Sequence, residues 1–316
     1  MKLLVIADPL ASFKIYKDST YAMLREAARR GHALFAMVAG DLAWREGGVQ
    51  GHCAGIALRD GPDWFTAEAR AWRALSDFDA VLMRTDPPFD QAYLTATWLL
   101  DMAEREGARV FNRPQALRDY NEKLALARFP EFIAPTLVSA DAGLIRDFLA
   151  EQGDIVVKPL NAMGGAGVFR LRPGDPNLGA ILETSTRHGA EAVMAQRYLP
   201  AIADGDKRIL VIDGEAVPYC LARIPAEGET RGNLAAGGHG EARPLTARDW
   251  EIGRALGPAL KAAGIFLAGL DVIGDTLTEV NVTSPTCFQE ITQQTGFDVA
   301  ARFMDALEAN CARGER

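Results

Sequence analysis

Alternation is the feature that most narrows the fold. Through the first 111 residues, short apolar runs of strand length (3–7, 34–38, 79–83 and 109–111) trade places with amphipathic stretches (19–30 and 91–106) that close on Gly31 and Gly107. This β-α-β rhythm predicts a parallel sheet covered by helices. Proline-bounded, polar segments around Asn112-Arg113-Pro114 and residues 130–135 mark a boundary near residue 120.

Beyond that boundary the character becomes α+β. Strand-like runs fall at 155–159, 168–171, 192–199, 208–213 and 216–224, with helical patterns at 142–150, 178–188 and 247–263. Two further strands, 266–273 and 277–283, precede a last helix over 298–310. Residues 226–243 form the one long polar, glycine-dense interruption.

Charge narrows the partners. With 34 Lys and Arg against 42 Asp and Glu, the net charge of -8 repels a nucleic-acid backbone or an anionic membrane surface, while a local basic pocket could still take a small anion. The amino-terminal apolar run is too short for a signal peptide and no run elsewhere approaches membrane-spanning length, so we expect a soluble cytoplasmic protein. Cys53, Cys220, Cys287 and Cys311 lie far apart and read as reduced, packed thiols.

Familiar phosphate-loop, dinucleotide, zinc-protease and nucleophile-elbow motifs are absent. What remains is a distributed set of polar residues on strands. A turn at Gly274–Thr276 places Asp271 opposite Glu279, and strand alternation puts Glu279 and Asn281 on one face. Opposed like charges are destabilising unless a cation sits between them, and two carboxylates with an amide oxygen suit Mg²⁺ that also holds phosphates. A solvated outer face carrying unrelated acids is the plainer alternative.

Lys158 is one of only seven lysines and interrupts an apolar strand. A charge there is costly unless paired, and a phosphate would pair it; the following Asn161-Ala162-Met163-Gly164-Gly165-Ala166-Gly167 offers amides that could line a triphosphate. An edge-strand lysine reaching to water before an ordinary turn fits equally. Lys123 by itself would be a surface helix residue. Arg208 and Arg223 lie on apolar strands, where they could clamp a transferring phosphoryl group or form surface ion pairs. Residues 196–199, including Gln196, Tyr198 and Leu199, could offer backbone hydrogen bonds to a nucleotide base or simply leave a strand at Pro200. The 226–243 segment, with Arg231 and Asn233, is long enough to close over phosphates and exclude water, or is a tolerated insertion.

Taken together these stretches resemble bacterial glutathione synthetase, of the ATP-grasp superfamily. The matches run nearly the whole chain: Ala7-Asp8-Pro9, Lys17-Asp18-Ser19, Arg84-Thr85-Asp86-Pro87-Pro88-Phe89-Asp90, Arg118-Asp119-Tyr120-Asn121-Glu122-Lys123, residues 154–169, Met194-Ala195-Gln196, Gly205-Asp206-Lys207-Arg208, 218–238 and 269–286. Asn161-Ala162 stands where the family pattern has Asp-Gly, and Thr85 where some members carry Lys.

The resemblance implies a fold: an N-terminal parallel-sheet substrate domain over 1–120, then an ATP-grasp domain over 121–316, with a smaller lid-like part (121–200) and a catalytic part (201–316). It also implies a reaction, in which ATP phosphorylates the cysteinyl carboxylate of γ-glutamylcysteine and the amine of glycine displaces phosphate. Another ATP-grasp carboxylate-amine ligase, or a nucleotide-binding module without catalysis, are the rival readings. By motif position, Lys123, Lys158, Gly164, Gly165, Gln196, Tyr198, Leu199 and Asn233 are expected to hold ATP. Arg208, Arg223 and Arg231 are expected to act on the phosphoryl group, and Asp271, Glu279 and Asn281 to hold Mg²⁺, or Mn²⁺ in its place. Family likeness implies a homo-oligomer, commonly a tetramer.

Overall fold

The structure is a computed structural model and describes residues 1–162, 164–226, 232 and 237–313. The chain opens with β1 (Lys2–Ile6), α1 (Ser19–Arg29) and β2 (Ala33–Met37). Asp18 caps α1 by accepting from the Tyr21 amide at 2.7 Å, and Met23, Leu24 and Ala27 form its buried stripe. β3 (Leu42–Arg45), β4 (Gly48–Leu58), β5 (Phe65–Ala67), β6 (Ala71–Ala74), β7 (Ala80–Met83), α2 (Gln91–Arg105) and β8 (Val110–Phe111) complete the first layer.

Its sheet runs β3-β4-β2-β1-β7-β8, with β5 and β6 also paired to β4. The strands β2-β1-β7-β8 are parallel, as the rhythm predicts, but β3 to β6 pair antiparallel, so the sheet is mixed. Those four strands show neither clean alternation nor a continuous apolar run; β4 reads GVQGHCAGIAL, diluted by glycine. β1 was identifiable because it is apolar throughout, and Leu3, Leu4, Val5 and Ile6 are fully buried between helices.

After α3 (Pro114–Asp119), a four-stranded antiparallel sheet forms from β9 (Thr136–Ser139), β10 (Ile155–Pro159), β11 (Phe169–Leu171) and β12 (Val193–Arg197), in the order β11-β10-β12-β9. Helices α4 (Ala142–Gln152) and α5 (Leu178–Ser185) cover one face, joining Ile145, Leu149 and Leu182 to Ile155, Val157 and Leu171 in a small separate core.

A five-stranded antiparallel sheet follows, built from β13 (Asp206–Ile212), β14 (Glu215–Ile224), β15 (His239–Pro244), β16 (Leu267–Ile273) and β17 (Thr276–Asn281) in the order β15-β14-β13-β16-β17. Helix α6 (Ala247–Ala262), started by a Thr246/Asp249 capping box, packs on it. α7 (Phe288–Thr295) was not anticipated from the sequence; its apolar content is only Phe288 and Ile291, both buried. The last helix, α8 (Val299–Arg313), returns to pack against α1. Among the described residues no helix is long and apolar enough to cross a membrane.

Candidate functional site

A cavity of about 610 Å³ opens where the three sheets meet. Every candidate residue the structure describes lines it: Lys123, Lys158, Gly164, Gly165, Gln196, Tyr198, Leu199, Arg208, Arg223, Asp271, Glu279 and Asn281. Arg231 and Asn233 lie outside the described residues, as does most of the 226–243 segment's first half.

Its floor is the β16–β17 hairpin. The turn is tighter than expected, with Ile273 facing Thr276, and a bulge between Asp271 and Val272 restores the anticipated pairing of Asp271 with Glu279. The opposed acids are relieved in a way the sequence did not show. β13 sets Arg208 beside Asp271, and Arg208 Nε and Nη2 donate to the two Asp271 oxygens at 2.5 and 3.0 Å. Arg223 on β14 adds a third contact, Nη2 to Asp271 Oδ2 at 2.8 Å, and reaches Asp206 Oδ2 at 2.5 Å. Burial opposes ionisation of Asp271, but Arg208 and then Arg223 outweigh it and hold the carboxyl well below the usual carboxylate range.

Glu279 is met by a different cation. Lys123 Nζ donates to Glu279 Oε1 at 2.9 Å and to the Ala162 carbonyl at 2.8 Å, so this lysine is buried and joins the hairpin to the glycine-rich loop. It is not the surface helix residue its local sequence allowed. The loop's departure from the family pattern is absorbed here: Asn161 Oδ1 accepts from Asn121 Nδ2 at 3.2 Å, and Ala162 serves through its backbone. At Gly167, φ is +69° and a Cβ would lie 2.9 Å from Pro159 Cγ, which excludes a side chain.

Lys158 leaves β10 toward the same point and donates to Thr278 O at 3.1 Å. Burial, reinforced by Lys123 and opposed by Glu279, pushes its ammonium down to about 8. Asn281 Nδ2 donates to Gly269 O at 3.2 Å, which leaves its amide oxygen as the group able to meet a cation. Along β12 the Gln196 side chain donates to Thr136 Oγ1 at 3.0 Å, and the Tyr198 amide donates to Asp154 O at 2.9 Å. The backbone group that Tyr198 leaves for a base is therefore its carbonyl, as an acceptor. Apolar Val156, Leu199 and Ile273 line this end.

Sequence reasoning did not single out Glu122, Asp206 or Arg84. Glu122 accepts from Val282 N, Thr283 N and Thr283 Oγ1 at 3.0, 3.1 and 2.8 Å, fixing the chain just after β17. Asp206 keeps one buried oxygen without a partner among the described residues, and burial pushes it up to about 7 against the pull of Arg223. Asp206 adjoins the Lys207-Arg208 pair that did attract notice; position alone gave no sign of its burial.

Among the described residues no three Asp, Glu, His or Cys side chains gather as a self-sufficient metal cluster. The donor set is two carboxylates and an amide oxygen, which fits a hard divalent cation that keeps water and substrate oxygens as its remaining ligands.

Two family models match most of the chain. Residues 1–118 match the prokaryotic glutathione synthetase N-terminal domain, and residues 122–296 match the prokaryotic glutathione synthetase ATP-grasp domain. A glutathione synthetase of Ralstonia nicotianae is 59% identical over 309 residues, covering 98% of this chain and 95% of that protein. One from Neisseria meningitidis is 58% identical, covering 97% and 98%, and one from Escherichia coli 51%, covering 98% of each. Among solved structures, the ATP-grasp ligase PsnB complexed with minimal precursor, Mg and ADP aligns with a TM-score of 0.62 at 20% identity, over 98% of each chain. The D-cycloserine synthetase DcsG aligns at 0.69 and 18% identity, over 98% of this chain and 99% of that one. These last two speak to the fold, which is that of ATP-grasp ligases.

Proposed function

The chain belongs to the prokaryotic glutathione synthetase family, and we propose that it joins γ-glutamylcysteine to glycine at the expense of ATP, releasing glutathione, ADP and phosphate. The observation that carries this reading is the convergence of Lys123 and Lys158 with the Arg208–Asp271–Arg223 cluster on one cavity that also reaches the N-terminal sheet.

The cysteinyl carboxylate attacks the terminal phosphorus of ATP, ADP leaves, and an acyl phosphate forms. The unprotonated amine of glycine then adds to the acyl carbon, and phosphate leaves. No protein nucleophile is required, so the side chains act by positioning and charge neutralisation. Lys158 and Lys123 take the phosphates, with the amides of Gly164 and Gly165 beside them. Gln196, Tyr198 and Leu199 border the base. Arg208 and Arg223 face the transferring group, and the reading keeps Arg231 with them and Asn233 with the nucleotide. Asp271, Glu279 and Asn281 would hold Mg²⁺, or Mn²⁺ in its place, which when bound offsets phosphate charge. In the structure as it stands these acids and bases neutralise one another; a polyanion arriving with its cation exchanges those pairs for contacts of its own.

The reading divides the chain at residue 120, with a lid-like part over 121–200 and a catalytic part over 201–316, and takes the protein to be a cytoplasmic homo-oligomer, a tetramer by family likeness. Mass spectrometry of products from ATP, Mg²⁺, γ-glutamylcysteine and glycine tests it. Glutathione and ADP should appear in equal amounts. Joining of a different amino-acid pair, with no glutathione, would replace it with the rival carboxylate-amine ligase.

A further inference from the structure

One wall of the cavity is the face of the β11-β10-β12-β9 sheet that α4 and α5 leave uncovered. Strand alternation sends Ile155 and Val157 into the small core and turns Val156 and Lys158 to the cavity. Register carries the pattern across the sheet. Val156 faces Arg170 on β11 and Gln196 on β12, and all three line the cavity. With its phosphates at Lys158, a nucleotide running along β10 lays its base over Val156 and the far edge of that base toward residue 154, each step of two residues being about 7 Å.

That far end is closed by three side chains from three segments: Asp154 just before β10, Arg170 in β11 and Tyr198 just after β12. Arg170 Nε and Nη2 donate to Asp154 Oδ1 and Oδ2 at 2.9 and 2.6 Å. Its guanidinium carbon lies 3.4 Å from the centre of the Tyr198 ring, closer than any other cation and ring among the described residues. The Tyr198 amide donates to Asp154 O at 2.9 Å. Tyr198 is thus tied to Asp154 twice, by its backbone directly and by its ring through Arg170. The hydrogen bond from Arg170 outweighs burial and holds the Asp154 carboxyl below the usual carboxylate range, so the pair is ionised at neutral pH. A two-pronged contact and a flat stack both require the guanidinium plane, which a lysine lacks.

The Tyr198 carbonyl is the acceptor left at this end. It can accept from the 6-amino group of adenine, whereas the 6-oxo group of hypoxanthine offers it only another acceptor. Such a contact discriminates only when the peptide carrying it is held still. We propose, resting on the reading that Tyr198 borders the base, that Arg170 is a positioning residue for nucleotide choice: by clamping the Tyr198 ring against Asp154 it aims the Tyr198 carbonyl at the 6-amino group and sets the preference for ATP over a 6-oxo purine nucleotide. Arg170 acts through Tyr198 and not on the phosphates, which lie at the Lys158 end. Arg172 also donates to Asp154 Oδ2, from Nε at 3.1 Å, but it is mostly exposed and is not among the residues lining the cavity.

Calorimetry with ATP and with inosine triphosphate, each with Mg²⁺, tests this on the native protein, Arg170→Met, Arg170→Lys and Arg172→Gln. The native protein should bind ATP about 10-fold or more tightly than inosine triphosphate, because the latter leaves the carbonyl unmet. Arg170→Met should weaken ATP by about that factor while inosine triphosphate stays within about 2-fold, so the preference disappears. In kinetics its KM for ATP should rise while kcat at saturating ATP and KM for glycine hold. Arg170→Lys should follow Arg170→Met, since it loses both the fork and the stack. Arg172→Gln should keep the native ratio. Equal weakening of both nucleotides in Arg170→Met would assign Arg170 a structural role and overturn the proposal. Full preference in Arg170→Lys would leave charge alone as the cause and overturn it too, as would a native protein that binds the two nucleotides equally. If Arg170→Met does not fold, Arg170→Lys carries the comparison. A native protein that prefers ATP, loses the preference in the Arg170 variants and still forms no glutathione supports the clamp and removes only the glutathione-forming reading.

Discussion

Asn112 should be among the costliest single residues to lose. It sits just after β8, 5% exposed, and its amide makes four hydrogen bonds to the other end of the chain. Nδ2 donates to Leu267 O and Val282 O, both at 2.7 Å, while Oδ1 accepts from Phe266 N and Leu267 N at 2.7 and 2.8 Å. One side chain thus satisfies two backbone donors and two acceptors where β16 begins and β17 has just ended. Asn112→Ala orphans all four. At about 0.5–1.5 kcal/mol net per bond, with water entering to recover part, the loss should be about 3–5 kcal/mol. Urea unfolding, followed by tryptophan fluorescence and circular dichroism, reads it as a lowered midpoint at similar slope. Asn112→Asp separates size from chemistry. At neutral pH it keeps the acceptors but sets a carboxylate against two carbonyls, so it should be no better than Ala. A cost below about 1 kcal/mol for both variants would refute the claim that these bonds hold the first sheet to the third.

Three further outcomes follow from the geometry. Lys158→Met should weaken ATP binding by about 10-fold or more in calorimetry, since a charge-assisted phosphate contact is lost, while the melting temperature stays within a few degrees; unchanged affinity removes Lys158 from the site. Glu279→Gln should cut turnover by at least about 10²-fold and shift the divalent-cation dependence to higher concentration, with little loss of stability because Lys123 keeps Ala162 O; a stability loss with the metal dependence intact would make Glu279 structural. Glu26 is held down to about 2 by its hydrogen bond to Arg29, against burial, with Arg30 adding to the effect. Because its folded pKa is depressed, its stabilisation is present above pH 4.5 and is lost as pH falls toward 2; Arg29 is mostly exposed, so the total should be about 1–2 kcal/mol, and the difference in stability between the native chain and Glu26→Gln should shrink to near zero across that window.

The parts of the fold that were legible are those whose cause is local. β1 and α1 announce themselves by an apolar run and a capped amphipathic stripe, and the pairing of Asp271 with Glu279 was expected across a turn at Gly274–Thr276, though the chain reaches it through a shorter turn and a bulge. Strands β3 to β6 were not legible, because glycine and scattered polar residues leave them without a period and only their neighbours make them strands.

The site divides along the same line. The amino-acid sequence alone determined which residue types carry charge on apolar strands: Lys158, Arg208, Arg223, Asp271 and Glu279 all stood out because a charge there must find a partner. Only the tertiary structure decided what each one meets. Arg208 and Arg223 converge on Asp271 from two different strands, Lys123 crosses from the segment before β9 to Glu279, and Arg84 reaches Thr20 Oγ1 and the Pro285 carbonyl. A local apolar pattern marks which stretches enter the core, whereas the burial of an individual charge and its pairing depend on the separation in space of side chains tens to hundreds of residues apart, and that distance is set only when the sheets pack.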